Sequence, residues 1–294
     1  MTLDERLDEV IEEVERARLL DPAGNAVRAA GQRVLGNPRA RDVLSGRPIG
    51  HALHPALTLV AGGSLLGATL LDVVGGRGGR DGARRLVAVG LLAALPTAAS
   101  GWSDWLDTEE AESRVGLVHA LSNGIALLAY TRSWRSRRRG RLGLPSSLAG
   151  AAALGAGGWL GGHLAFALGV GVDTTAFQTT ATDWTDVAAA ADIDDRLQQV
   201  DLEGVPLLVT RVDGHVVAVA DRCTHRGAPL SDGTRDGDCV VCPWHASVFS
   251  LRDGRVRRGP ATRSQASYEV RELDGRIQVR RNENRSLRRN PVGT

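Results

Sequence analysis

Two short arms of cysteine and histidine stand in the last third of the chain: Cys223-Thr224-His225 and Cys242-Pro243-Trp244-His245. The pattern is C-x-H, sixteen intervening residues, then C-x-x-H. Structural zinc usually pairs like ligands, two cysteines on one arm and two histidines on the other. Here each arm supplies one thiolate and one imidazole. Two such loops can clamp a two-iron cluster, with both thiolates on one iron and both imidazoles on the other. Neutral imidazoles in place of two thiolates make the site less negative, which favours reduction and raises the potential above that of all-cysteine clusters. A Cys2His2 zinc site is the alternative for the same residues. The third cysteine, Cys239, lies three residues before Cys242 in an expected strand. It is expected to be a buried thiol packing as a small hydrophobe, not a fifth ligand.

The segments around the arms alternate like β-strands, over residues 206–211, 215–220, 238–241, 268–273 and 276–280. Glycine-containing turns separate them at Val212-Asp213-Gly214-His215 and Asp274-Gly275. Pro229 and Pro243 stiffen the arms. The arms are therefore expected at the tip of a β-domain.

Residues 184–283 resemble a Rieske domain, with CTHRGAPLSDG as the first box and CPWHASVFSLRDGRV as the second. The resemblance implies an antiparallel β-sandwich with a cluster-binding subdomain. It implies a [2Fe–2S] cluster with Cys223 and Cys242 on one iron, and His225 and His245 on the other. Each imidazole would bind through one ring nitrogen and keep the second near solvent, where an electron would leave. Rieske proteins of the cytochrome bc type cross-link their ligand loops with two further cysteines. Ala228 and Trp244 stand at the corresponding positions, so that bridge is absent. The bc type also donates serine and tyrosine hydroxyls to the cluster. Ser247 could keep the first, but Phe249 cannot supply the second. Fewer donors stabilise the reduced cluster less, so an intermediate-to-low potential is expected. The boxes are closer to those of Rieske ferredoxins and oxygenase components.

Over its 294 residues the chain is 43% hydrophobic and 24% charged, which suits a soluble protein. That average hides a segregation, because the apolar residues crowd between about 51 and 172. The net charge of +2 argues against a general nucleic-acid surface. Every basic residue apart from histidine is arginine. Three cysteines leave one over in any disulfide framework, and no N-terminal signal peptide is expected. Residues 3–20 read as an acidic amphipathic helix with Leu3, Leu7, Val10, Ile11 and Val14 on one stripe. That stripe is either a packed face or a partner-binding face.

Four apolar segments, about 51–74, 86–100, 115–130 and 148–172, are expected to form an all-α four-helix transmembrane bundle ahead of the all-β domain. The first and fourth are long enough to cross roughly 30 Å of hydrocarbon, whereas the second and third need flanking residues. Gly and Ala abound, as in helices that pack closely in lipid. Trp102, Trp105 and Trp134 fall at segment ends, where aromatic belts form. A soluble helical bundle is the alternative. Four crossings put residues 1–50, the acidic 101–114 loop and the cluster domain on one side. The arginine-rich 75–85 and 131–147 loops lie on the other, which arginine excess marks as cytoplasmic. The cluster domain is then expected outside, although Arg33, Arg39, Arg41 and Arg47 oppose this. Ser136-Arg137-Arg138-Arg139 resembles an internal twin-arginine export signal, or serves as a plain positive-inside anchor.

His54, His119 and His163 lie inside apolar segments, in the bilayer half expected to face the cluster domain. Two of them could ligate haem b or meet a quinone head group. Alternatively, each is a packing histidine bonded to a carbonyl, Ser100, Ser122 or Asn123. The stretches GHALHPAL, GWSDWLD, VHALSN and LGGHLAF resemble a family of bacterial membrane proteins of unknown function. The expected organisation is an N-terminal helix and lead-in (1–50), a membrane domain (51–172), a tether (173–183), the Rieske domain (184–283) and a basic tail (284–294). The expected function is a membrane-anchored one-electron carrier in a bacterial redox chain, with a partner protein or quinone as its redox partner. The alternatives are a ferredoxin-like donor to an oxygenase on another chain, and a redox sensor. The tail leaves no room for a mononuclear iron site, so the chain is not expected to be an oxygenase itself.

Overall fold

A computed structural model describes residues 2–76, 78–179 and 182–281. The basic tail expected over 284–294 lies outside the described residues. The chain divides into two compact units. A helical unit comprises Met1–Ala40 and Ala52–Gly171, and a β-rich unit comprises Arg41–His51 and Val172–Thr294.

The helical unit holds α1 (Leu3–Arg16), α2 (Asp21–Leu35), α4 (Leu53–Val74), α5 (Gly79–Trp105), α6 (Glu110–Arg138) and α7 (Leu144–Phe166). A short α3 (Pro38–Ser45) runs across the division in the chain. Thr2 starts α1 with a capping box to Glu5. On the expected stripe of α1, Ile11 is buried with Val115 and Leu160, and Val14 packs beside them. Leu3 and Val10 remain exposed. Arg114 fixes the following turn, donating to both oxygens of Asp21 and to the Glu15 carbonyl.

The expected four crossings are not matched one for one. Two helices, α4 and α5, are long and apolar enough to cross a membrane among the described residues. The second and third segments, expected to be short, extend as α5 and α6 to 27 and 29 residues. Helix α6 begins with Glu110 and Glu112 and ends with Arg135, Arg137 and Arg138. Helix α7 carries no Asp, Glu or Arg, but Gly, Ala and Ser dominate it. Small side chains bring little apolar area, so the absence of charge alone does not make a strongly apolar helix.

These helices expose large apolar side chains and bury several polar ones. Leu59, Leu70, Leu92, Leu95, Leu121 and Leu128 are exposed. Polar groups lie inside beside an apolar cluster of Leu65, Ala68, Ala83, Val87 and Tyr130. The Thr69 and Tyr130 hydroxyls bond at 2.8 Å, and those of Ser133 and Ser147 at 2.8 Å. Arg137 pairs with Asp72 through its two terminal guanidinium nitrogens, and both side chains are 6% exposed. Arg137 belongs to the stretch that resembles an export signal. Small residues do allow close packing: a Cβ on Gly90 would stand 2.6 Å from Leu65 Cγ, and one on Gly150 would stand 2.8 Å from the Tyr130 ring. Trp105, expected in an aromatic belt, is buried, and its indole donates to the Ser113 carbonyl at 3.0 Å.

In the β-rich unit, one antiparallel sheet has the order β1 (Thr185–Ala189), β10 (Arg276–Arg281), β9 (Ser267–Leu273), β4 (His215–Ala220), β3 (Val205–Val212), β2 (Gln198–Leu202). A second has the order β5 (Thr234–Asp236), β6 (Cys239–Val241), β7 (Val248–Ser250), β8 (Val256–Arg258). The two expected turns are present, with positive φ at Asp213 and Gly214 and at Asp274 and Gly275. Such pairs match the right-handed twist of the strands they join. Glu203 and Gly204 make a third turn of this kind. Strand β3 separates two cores by its period of two. Leu207 and Val209 face a core with Ile277 and Val279. Leu208 and Val212 face the other, with Val240, Phe249 and both arm cysteines.

Removing the carboxylate in Asp72→Ala leaves Arg137 buried and uncompensated, which costs about 3–5 kcal/mol. A large fall in thermal unfolding temperature in detergent is expected. An unchanged temperature would contradict the buried pair.

Candidate metal centre

The first arm follows β4 and the second follows β6, and both fold into the same six-residue turn. In each, the cysteine N–H donates to the carbonyl five residues on, Cys223 to Ala228 and Cys242 to Ser247, both at 2.8 Å. In each, the N–H four residues on returns to the cysteine carbonyl, from Gly227 at 2.8 Å and from Ala246 at 3.2 Å. That fourth position has positive φ, +82° at Gly227 and +56° at Ala246. Glycine takes this conformation freely, whereas alanine is strained there by about 1–2 kcal/mol.

The turn aims backbone donors at sulfur. The N–H groups of His225 and Arg226 bond the Cys223 sulfur, and those of Trp244 and His245 bond the Cys242 sulfur. Both sulfurs sit in the apolar core, with Cys223 1% and Cys242 3% exposed. They share one hydrogen bond, which with burial pushes the Cys223 thiol up. The same bond pulls Cys242 down, to about 6. Burial of both sulfurs favours a bound cation in place of the thiol protons.

The C-x-H and C-x-x-H spacings put the two histidines at different places on identical turns. Their rings come together at 5.0 Å between centroids and 87° between planes. Both rings are partly exposed, yet both Nδ1 atoms are buried. Two imidazoles on one metal, with bonds of roughly 2 Å, place their centroids roughly 4–6 Å apart. Two adjacent buried thiols and two converging imidazoles with buried Nδ1 atoms thus fit a cluster held by two sulfurs on one side and two nitrogens on the other.

A family model described as "Rieske [2Fe-2S] domain" matches residues 183–269. "Ferredoxin CarAc" of Metapseudomonas resinovorans is 37% identical over 98 residues, which are 33% of this chain and 92% of that protein. The chain belongs to the Rieske [2Fe–2S] family. The "Anthranilate 1,2-dioxygenase ferredoxin subunit" of Burkholderia cepacia is 34% identical over 25% of this chain and 68% of its own length. A ferredoxin–oxygenase complex of carbazole 1,9a-dioxygenase is 34% identical over 34% of this chain and 97% of the matched chain, with a TM-score of 0.32. A second family model, described as "Predicted membrane protein (DUF2231)", matches residues 50–174. The Rieske domain is homologous to ferredoxin components of dioxygenase systems, which implies electron transfer.

Other residues singled out in the sequence fall as follows. Ala228 is fully buried and Trp244 is 58% exposed, and all three cysteines are free thiols. The Ser247 hydroxyl is buried and accepts from the Ala261 N–H at 2.9 Å. Phe249 is buried in the core beside the sulfurs. Cys239, expected to be buried, is partly exposed and donates to the Asp238 carboxylate at 3.6 Å. Alternation along β6 gives the inward place to Val240 instead.

The helix histidines have polar partners. His54 Nδ1 bonds the Thr97 carbonyl at 3.0 Å. His119 donates from Nδ1 to the Gly157 carbonyl at 2.7 Å, and its Nε2 meets the Asn123 amide at 3.1 Å. His163 Nε2 lies 2.8 Å from the Glu15 carboxylate. Each engaged nitrogen would have to give up its bond to take a haem iron.

Asp221, which no pattern in the sequence marks, is fully buried at the end of β4. Its carboxylate accepts from the Ser231 N–H at 2.6 Å, the Ser231 hydroxyl at 3.0 Å and the Gln199 amide at 2.8 Å. It thereby closes the base of the first arm, but a lone acid at a strand end carries no pattern. Asp221→Ala leaves these donors unpaired at about 1–3 kcal/mol for the buried group. The variant is expected to retain less iron per chain; full retention would contradict a supporting role.

Proposed function

We propose that the chain is a membrane-anchored Rieske iron–sulfur protein that passes single electrons in a bacterial redox chain. The observation that carries this is the matched pair of turns, which brings two buried sulfurs and two imidazoles to one place. Cys223 and Cys242 hold one iron of the cluster, and His225 and His245 hold the other. When bound, the cluster supplies a one-electron couple. The chain does the rest. Its core keeps water from the sulfurs, and four N–H groups withdraw negative charge from them. Trp244 offers an exposed apolar ring beside His245, 6.5 Å away between centroids. That ring suits the contact made with a redox partner protein.

Anchoring is supported by the leucines exposed around the helical unit, by α4 and α5, and by the match to a predicted membrane family. In this reading residues 51–172 sit in the lipid bilayer as a multi-pass domain. The Rieske domain (184–283) lies on the outer side, and the expected tether (173–183) begins bonded to its first arm through Thr174. The three helix histidines are packing groups and hold no haem. A quinone remains the alternative to a protein as electron source. A second reading, a donor to an oxygenase on another chain, is favoured by the ferredoxin relatives.

Rapid reduction of the oxidised protein by a quinol analogue in stopped flow is expected. Reduction only by a soluble reductase would favour the donor reading instead. With Phe249 in place of a hydroxyl donor, the midpoint potential is expected in the lower half of the Rieske range of roughly −150 to +300 mV. A value near its top would contradict this tuning. A reporter active only outside the cell, fused after residue 172, is expected to be active. Silence would overturn the outer placement.

A further inference from the structure

The β-rich unit includes two segments outside the ferredoxin-like part of the sequence: Arg41–His51, which precedes α4, and the residues after Gly171, which follow α7. Both are bonded to the loops around the arms. Thr174 donates from its hydroxyl to the Cys223 carbonyl at 2.8 Å and from its N–H to the Thr224 carbonyl at 3.2 Å. Its own turn is fixed next door, where the Asp173 carboxylate accepts from the Thr175 N–H and hydroxyl at 2.9 and 2.7 Å. Asp42 accepts from the Gly259 N–H at 2.6 Å and pairs with Arg47 at 2.9 Å.

Gly259 opens a strap, residues 259–263, that serves both arms. The Ala261 N–H donates to the Ser247 hydroxyl at 2.9 Å, and the Thr224 hydroxyl donates to the Arg263 carbonyl at 2.8 Å. Thus Asp42 reaches both arms through one strap, while Thr174 touches the first arm directly. Room for this contact is specific, because a Cβ on Gly259 would stand 3.1 Å from the Asp42 carboxylate and 3.2 Å from the Ser45 hydroxyl.

We infer that Asp42 and Thr174 are positioning residues of the cluster site, so that the centre extends into the segments flanking the helical unit. The inference rests on the proposed four-ligand cluster. The Thr174 hydroxyl neutralises the negative end of a carbonyl belonging to a cluster ligand. Its loss leaves that dipole uncompensated and disfavours the added electron. The Asp42 carboxylate holds the strap against the arms, and its loss lets the arms open.

The test uses the full chain in detergent, with an EPR-monitored redox titration and the rate of iron loss to a ferrous chelator. Thr174→Val is expected to lower the midpoint potential, and Thr174→Ser to restore it. Asp42→Ala is expected to speed iron loss by about fivefold, the loss of one hydrogen bond. Asp42→Asn keeps an acceptor for Gly259 and is expected to restore most of the retention. If the wild-type chain gives no Rieske signal, the ligand set and this inference fall together. If it gives the signal and either variant matches wild type in its readout, the inference is overturned for that residue.

Discussion

Two thiols buried side by side in an apolar core are the constraint on which the β-rich unit depends. Water cannot reach them, so the backbone must meet their charge. The chain meets it twice with one device, a six-residue turn that points two N–H groups at each sulfur. Closing that turn needs a positive φ at its fourth step, taken freely at Gly227 and under strain at Ala246. The cores around β3, the buried Asp221 and the strap at 259–263 all hold these turns in register.

The two turns share one backbone shape but carry their histidines at different steps. A histidine two residues after Cys223 and one three residues after Cys242 leave the same backbone shape from neighbouring positions. Their rings can then converge nearly at right angles without either sulfur moving.

Much of this was legible in the sequence. The arms, the long strands from 206 to 280 and the two Asp-Gly turns follow from local pattern, because period two and positive φ are written in residue types. Of the three-residue strands, β6 was expected over 238–241, whereas β5, β7 and β8 are too short to display a period, and the five-residue β1 and β2 were not expected either. The partial exposure of Cys239 was not legible, because the inward place on β6 is set by register, not by hydrophobicity. Freedom from charge overstated the apolarity of α7, and flanking charged residues hid the lengths of α5 and α6. The contacts of Asp42 and Thr174 join residues far apart in the chain, so no window along the sequence holds them.

The central claim is that two sulfurs and two imidazoles from these turns hold one two-iron cluster. Its most direct test is redox-poised EPR on membranes containing the full chain, read with the iron and zinc content of the purified protein. The account predicts two irons per chain and a mixed-ligand Rieske signal on reduction, lost in His225→Ala and in His245→Ala. Stoichiometric zinc without iron, or a signal that survives both substitutions, would contradict it.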